Sequence, residues 1–217
     1  MQPPNRIKLK ICGMRDPENI RKVAALHPDY MGFIFYPDSK RAVGENFEIP
    51  KDFPLGIRRV GVFVNEKISV MLKRAKRYSL DFLQLHGEES AEQCEELRKS
   101  GVKVIKAFSI GGDFDFDNVI QYKKAVDYLL FDKKGAGYGG TGMTFDWTIL
   151  EKYDQEIPFF LSGGLSPNNI REVEKLKGMN IHALDLNSGV ETEPGIKNVQ
   201  LVEKVRMKVL NNHWLEY

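Results

Sequence analysis

The sequence predicts an α/β protein, a (β/α)8 TIM barrel folded as a single domain over residues 1–217. Three observations carry that reading. Short runs rich in β-branched and aromatic residues alternate with amphipathic helical stretches from one end of the chain to the other. Eight such runs can be placed, which fits the compact end of this barrel's size range. Cys12 and Asp132 close the first and sixth runs, each ahead of a glycine-containing loop. In this fold the C-terminal strand ends form the face that carries the chemistry.

Residues 7–12 open the barrel. If Cys12 faces the lumen, alternation places Lys10 and Lys8 there too and turns Ile7, Leu9 and Ile11 toward the helices. A lysine inside a barrel needs a partner, and the last strand, which must close against the first, offers Asp185. The first helix, over 16–26, has an N-cap in Asp16, proline at its first position and an early acid in Glu18. Strands follow at 30–36 and 58–64, then a helix over 68–78. The fourth strand is 82–86, and Glu88-Glu89-Ser90 opens a helix over 91–100. The fifth unit is weakest: after the strand at 103–108, Gly111-Gly112-Asp113 begins a loop and only 116–125 can be helical. Strands at 128–132 and 158–162 precede a helix over 168–176 introduced by Ser166-Pro167. The eighth strand is 182–187, and a helix over 200–211 ends the pattern. An open doubly wound sheet is the runner-up, and no linker or shift in composition divides the chain.

Composition narrows the function. Lys+Arg 32 against Asp+Glu 30 leaves a formal charge of +2, which gives no electrostatic case for nucleic acid. The short run Lys73-Arg74-Ala75-Lys76-Arg77 reads as a solvated helix face. No apolar stretch reaches membrane-spanning length, and Met1-Gln2-Pro3-Pro4-Asn5-Arg6 lacks the apolar core of a signal peptide, so the expected place is the cytoplasm. Cys12 and Cys94 sit in different settings, with Cys94 on a helix facing the core, and suggest no disulfide. Four histidines and two cysteines show no ligand spacing, so no metal is expected. The sequence does not state an oligomeric state, and a monomer is the favoured expectation.

Cys12 and Asp132, on non-adjacent strands and aimed at one face, are a candidate proton-transfer pair; Cys12 could also be a buried hydrophobe, the commoner fate of a free cysteine. Its place beside Lys10 favours the thiolate. Ser162-Gly163-Gly164-Leu165 and Asn187-Ser188-Gly189-Val190 follow the seventh and eighth strands, where barrels of this class build phosphate sites from backbone N–H groups. Gly163, Gly164, Ser188 and Gly189 are therefore candidate phosphate contacts. Gly135-Ala136-Gly137-Tyr138-Gly139-Gly140 contains a G-x-G-x-x-G, but it follows the sixth strand instead of opening the first unit, and reads better as a loop over the barrel mouth. His86 ends the fourth strand, either as a substrate contact or as a locally bonded histidine. Arg41, in the loop after the second strand, is either a carboxylate clamp or an exposed loop charge.

Taken together, Lys10-Ile11-Cys12-Gly13, Phe33-Ile34-Phe35-Tyr36-Pro37 with Ser39-Lys40-Arg41, Gly61-Val62-Phe63-Val64-Asn65, Gln84-Leu85-His86-Gly87, the Asp132 strand with Gly139-Gly140-Thr141-Gly142, Gly163-Gly164-Leu165, and Asp185 with Ser188-Gly189-Val190-Glu191 resemble the phosphoribosylanthranilate isomerase family. The match runs in order from about residue 7 to 197. The resemblance implies an Amadori rearrangement in tryptophan biosynthesis, with a small phosphorylated substrate and no cofactor. It implies Cys12 as general base, Asp132 as general acid and Arg41 on the anthranilate carboxylate, with His86 and Asp185 also in the substrate site and the last two strand ends on the phosphate. For that chemistry the acid must keep its proton and the base lose one. Lys10 beside Cys12 and a dry setting for Asp132 would separate them. Ser162 before the glycine pair, Asn187, and Lys133-Lys134 after the acid depart from the family's usual residues. The competing readings are another sugar-phosphate barrel enzyme, such as an aldolase using Lys106 or Lys10 as a Schiff-base amine, and a phosphate-binding module without turnover.

Overall fold

In the computed structural model, which describes residues 6–133 and 147–210, eight parallel strands form a closed barrel in sequence order. They are β1 (Lys8–Ile11), β2 (Tyr30–Ile34), β3 (Arg58–Phe63), β4 (Phe82–Leu85), β5 (Lys103–Ile110), β6 (Tyr128–Lys133), β7 (Phe159–Leu161) and β8 (Ile181–Leu186). Each matches one of the eight predicted runs, and β1 closes on β8 with Lys10 opposite Asp185. A two-stranded hairpin, β9 (Glu191–Glu193) with β10 (Ile196–Lys197), follows β8.

The helices form where their ends are chemically marked. On α1 (Pro17–Ala24) the Asn19 N–H donates to the Asp16 carboxylate at 2.7 Å, and Asn19, Ile20, Val23 and Ala24 turn inward. That side-chain bond satisfies one of the amides a helix start leaves open. Ser90 and Gln93 make a reciprocal capping box on α3 (Ala91–Lys99). Helix α2 (Ile68–Tyr78) ends on a left-handed Ser79, and α5 (Val199–Leu210) closes the described chain. Two helical predictions are corrected. The fifth-unit helix shrinks to one turn, α4 (Asp117–Ile120), and the seventh-unit helix is a 3-10 segment, Ile170–Leu176. Ile170, Val173 and Leu176 are all buried, so the three-residue period puts each on the barrel face.

The floor of the barrel has an order that the element pattern does not disclose. Asp29-Tyr30, Asp81-Phe82 and Asp127-Tyr128 begin β2, β4 and β6. Each aspartate accepts the first N–H of the preceding strand's ladder region, from Leu9, Arg59 and Val104, at 2.8–2.9 Å. The aromatic residue that follows points inward. Tyr30 and Tyr128 meet His182 of β8 and, from the next strand over, Phe160 of β7, while Phe82 packs on both tyrosines, with ring centroids 4.2–6.0 Å apart. Alternate strands thus contribute one layer of the lumen, as the barrel geometry requires. The Tyr30 hydroxyl and His182 Nε2 share a hydrogen bond of 2.7 Å.

That plug makes the fold acid-sensitive. Burial, with Lys8 and Lys103 nearby, pulls the His182 imidazole down to about 3. A depressed folded-state pKa means the unfolded chain takes up the proton first, so His182 contributes stability that is complete above about pH 6.5 and drains as the pH falls toward 3. Urea unfolding followed between these values should show wild type losing more stability than His182→Gln. Parallel slopes in the two proteins would contradict it.

Candidate active site

Cys12 lies one residue beyond β1, its N–H donating to the Leu186 carbonyl at 2.8 Å. Its thiol is buried against β2, where Gly32 leaves room: a Cβ there would stand 2.6 Å from the sulfur. Beneath it the Lys10 ammonium donates to Asp185 at 2.8 Å, with both side chains almost fully buried. The Lys10–Asp185 pair expected from alternation is therefore present. Burial pulls the Lys10 ammonium down, but Asp185 and Cys12 outweigh it and hold it above the ordinary lysine value. Burial also pushes the Cys12 thiol up, and Lys10 offsets this only in part. Lys10 acts on the thiol in the expected direction, toward the thiolate, but desolvation of the anion is the larger effect here.

Asp132 stands on β6 opposite Ser109 of β5. Its Oδ2 is 3.5 Å from His86 Nε2, and both side chains keep about 30% exposure at the barrel mouth. The dry setting expected for Asp132 is thus not found; β6 ends on the rim, where the mouth is open to solvent. The other ring nitrogen of His86 meets the Gln84 amide at 3.0 Å. The alternation of β4 explains this, since Gln84 and His86 share the lumen face while Leu83 and Leu85 face the helices.

Arg41 is not a free loop charge. Its Nε and one Nη donate to both oxygens of Glu191 at 2.6–3.0 Å. Glu191 also accepts from the Lys197 ammonium at 2.6 Å and from the Gly195 N–H at 3.0 Å. Burial pushes this carboxyl up, yet Arg41 and Lys197 hold it down at about 2. Of these partners the sequence points to Arg41 alone; Glu191 is there only the end of a motif and Lys197 has no role, because the hairpin that carries them has no period to reveal it.

The phosphate candidates fall on two adjacent turns. Gly163 and Gly164 follow β7 with φ of 101° and 78°, values that suit glycine. A side chain at Gly163 would run into the Lys133 backbone nitrogen at 2.6 Å. Ser188 and Gly189 lie in a 3-10 turn, Ser188–Val190, directly after β8, and Gly189 packs on the Leu165 carbonyl. Asp185 sits deeper, as the partner of Lys10. The glycine loop 135–142 and Lys134 lie outside the described residues.

The lysines considered for Schiff-base chemistry are both spoken for. Lys106 donates to the Gly87 carbonyl at 2.6 Å and to Glu89 at 3.1 Å, buried, and so joins β5 to the loop after β4. Among the described residues no cluster of three or more His, Cys, Asp or Glu side chains is placed to hold a metal ion, and no helix is long and apolar enough to cross a membrane.

A closed eight-stranded parallel barrel with a thiol, a carboxyl and an imidazole at its C-terminal mouth defines a (β/α)8-barrel enzyme of the acid–base kind. The sequence profile described as N-(5'phosphoribosyl)anthranilate (PRA) isomerase matches residues 9–208. The chain belongs to that family. It is 45% identical over 206 residues to the N-(5'-phosphoribosyl)anthranilate isomerase of Parabacteroides distasonis, covering 94% of this chain and 93% of that protein. It superposes on the crystal structure of phosphoribosyl anthranilate isomerase from Thermotoga maritima with a TM-score of 0.82 at 33% identity, over 95% of this chain and all of the other. A second isomerase structure, in complex with reduced 1-(o-carboxyphenylamino)-1-deoxyribulose 5-phosphate, gives a TM-score of 0.80 at 30% identity over 95% of this chain and 100% of that one.

Proposed function

We propose that this chain isomerises N-(5-phosphoribosyl)anthranilate to 1-(2-carboxyphenylamino)-1-deoxyribulose 5-phosphate, with Asp132 as general acid and Cys12 as general base. The observation that carries the reading is the placement of these two groups at the mouth ends of β1 and β6 in a member of this family. Protonated Asp132 gives its proton to the ribose ring oxygen, the ring C–O bond breaks, and the anilino nitrogen's lone pair forms the imine at C1′. Cys12, as thiolate, removes the C2′ proton. The electron pair moves into a C1′–C2′ double bond and neutralises the iminium nitrogen, and the resulting enolamine tautomerises to the ketone. The imine itself is the electron sink, so this route needs no cofactor.

Arg41 has five N–H donors, of which two face Glu191, so the remainder are available to a carboxylate such as that of anthranilate. The turns at Gly163-Gly164 and Ser188-Gly189 offer the phosphate backbone N–H groups and a hydroxyl. His86 is in reach of Asp132 and of a substrate held there.

The test generates phosphoribosylanthranilate in situ from anthranilate and phosphoribosyl pyrophosphate and follows its fluorescence. Rapid loss dependent on the protein is the expected result. A well-folded protein that leaves the decay at its spontaneous rate would overturn the proposal.

A further inference from the structure

Five charged side chains surround Cys12 in the barrel wall, and they do not balance. From β1 comes Lys10 and from β8 Asp185, paired at 2.8 Å. From the loop after β2 comes Arg41, and from the hairpin after β8 come Glu191 and Lys197; the single carboxylate of Glu191 binds both cations at 2.6 Å. β2 brings Gly32 against the sulfur. Three cations face two carboxylates, an excess of one positive charge within this group; the Asp132 carboxyl and the His86 imidazole, on the rim at β6 and β4, face Asp185 from outside it. The Lys10, Asp185, Glu191 and Lys197 side chains are each at most 6% exposed, so water screens that excess poorly.

Lys197 is the member whose position needs explaining. Its backbone is tied to Asn19 of α1 by two hydrogen bonds of 2.8 Å, and its ammonium is 2.7 Å from Asn187 Oδ1. That oxygen in turn lies against Gly13, where a Cβ would be 2.7 Å away. The ammonium is therefore delivered beside the Cys12-Gly13 turn, at the cost of full burial. Burial lowers its pKa and Glu191 only partly restores it.

We infer that Lys197 is a positioning residue for the Cys12 thiolate, supplying the positive charge that the thiolate itself brings to balance, with Glu191 and Asn187 holding it in place. The inference takes its functional meaning from the reading of Cys12 as base, but its test reads the thiolate directly. In a Cys94→Ala background the rate of Cys12 alkylation by iodoacetamide is followed against pH by intact mass. Lys197→Met should raise the midpoint by about one pH unit or more, and Lys197→Arg should bring it back toward the parent.

An unshifted or lowered midpoint in folded Lys197→Met would overturn the inference. Should that variant not fold, Lys197→Gln decides: a rise supports it, and no change or a fall overturns it. Turnover of Cys12→Ser judges the base separately. Full turnover there, with the alkylation shifts as described, would remove the base assignment and leave the charge cluster standing.

Discussion

Asp132→Asn should lower kcat by a factor on the order of 10³, within the range that a positioned general acid contributes. The amide keeps the shape and part of the hydrogen bonding of the carboxyl but has no proton to give to the ring oxygen. The turns at Gly163 and Ser188 and the Arg41–Glu191 pair lie on other strands and are untouched, so KM should move far less than kcat. Cys12→Ser should show the same split, because a serine hydroxyl is far less acidic than a thiol and forms almost none of the anion that removes the proton. Steady-state fluorescence assays of both variants check this. A KM rise at unchanged kcat in Asp132→Asn would reassign that residue to binding, and full activity in Cys12→Ser would remove the base.

The largest expected effect on stability is at Lys10. Lys10→Met leaves Asp185 as a carboxylate sealed in the barrel without its cation. Breaking a buried pair from one side typically costs about 3–5 kcal/mol, which is a large fraction of a domain's stability. Burial already pushes the Asp185 carboxyl up, so without Lys10 it must either stay charged in a dry site or take up a proton, and its Oδ1 has no hydrogen-bond partner among the described residues to ease either. Replacing both partners, Lys10→Met with Asp185→Leu, should return much of the loss, since the pair's attraction largely offsets the cost of desolvating it. Urea unfolding of the single and double variants measures this. A single variant as stable as wild type would mean that water reaches Asp185 in the folded barrel.

What was legible in the sequence was local and periodic. Alternation along residues 7–12 assigned Lys10 and Cys12 to one face, and the closure of an eight-stranded barrel then required an anion from the last strand. Asp16-Pro17-Glu18 and Ser90 with Gln93 announced their helices because a cap is made by neighbours in sequence. The fifth and seventh helices were overestimated for the converse reason. Helical spacing of apolar residues is satisfied equally by a single turn or by a 3-10 segment when the surface it covers is short. The aspartate–aromatic pairs that begin β2, β4 and β6 were a readable signal, repeated at alternate strands, that the element pattern passed over.

The sequence by itself determined the barrel, the order of its strands and the two ionisable groups at its mouth. These follow from periodicity and from residues that end strands. Only the tertiary structure decided the state and company of those groups. Whether burial or a neighbouring ammonium governs the Cys12 thiol depends on how tightly β1 and β2 close over the sulfur, which Gly32 permits but does not announce. The junction of Arg41, Glu191 and Lys197 brings a loop after β2 to a hairpin about 150 residues later. Electrostatic energy depends on distance and on the removal of water. Neither is a property of spacing along the chain; both appear only when the closed barrel folds distant segments onto one cysteine.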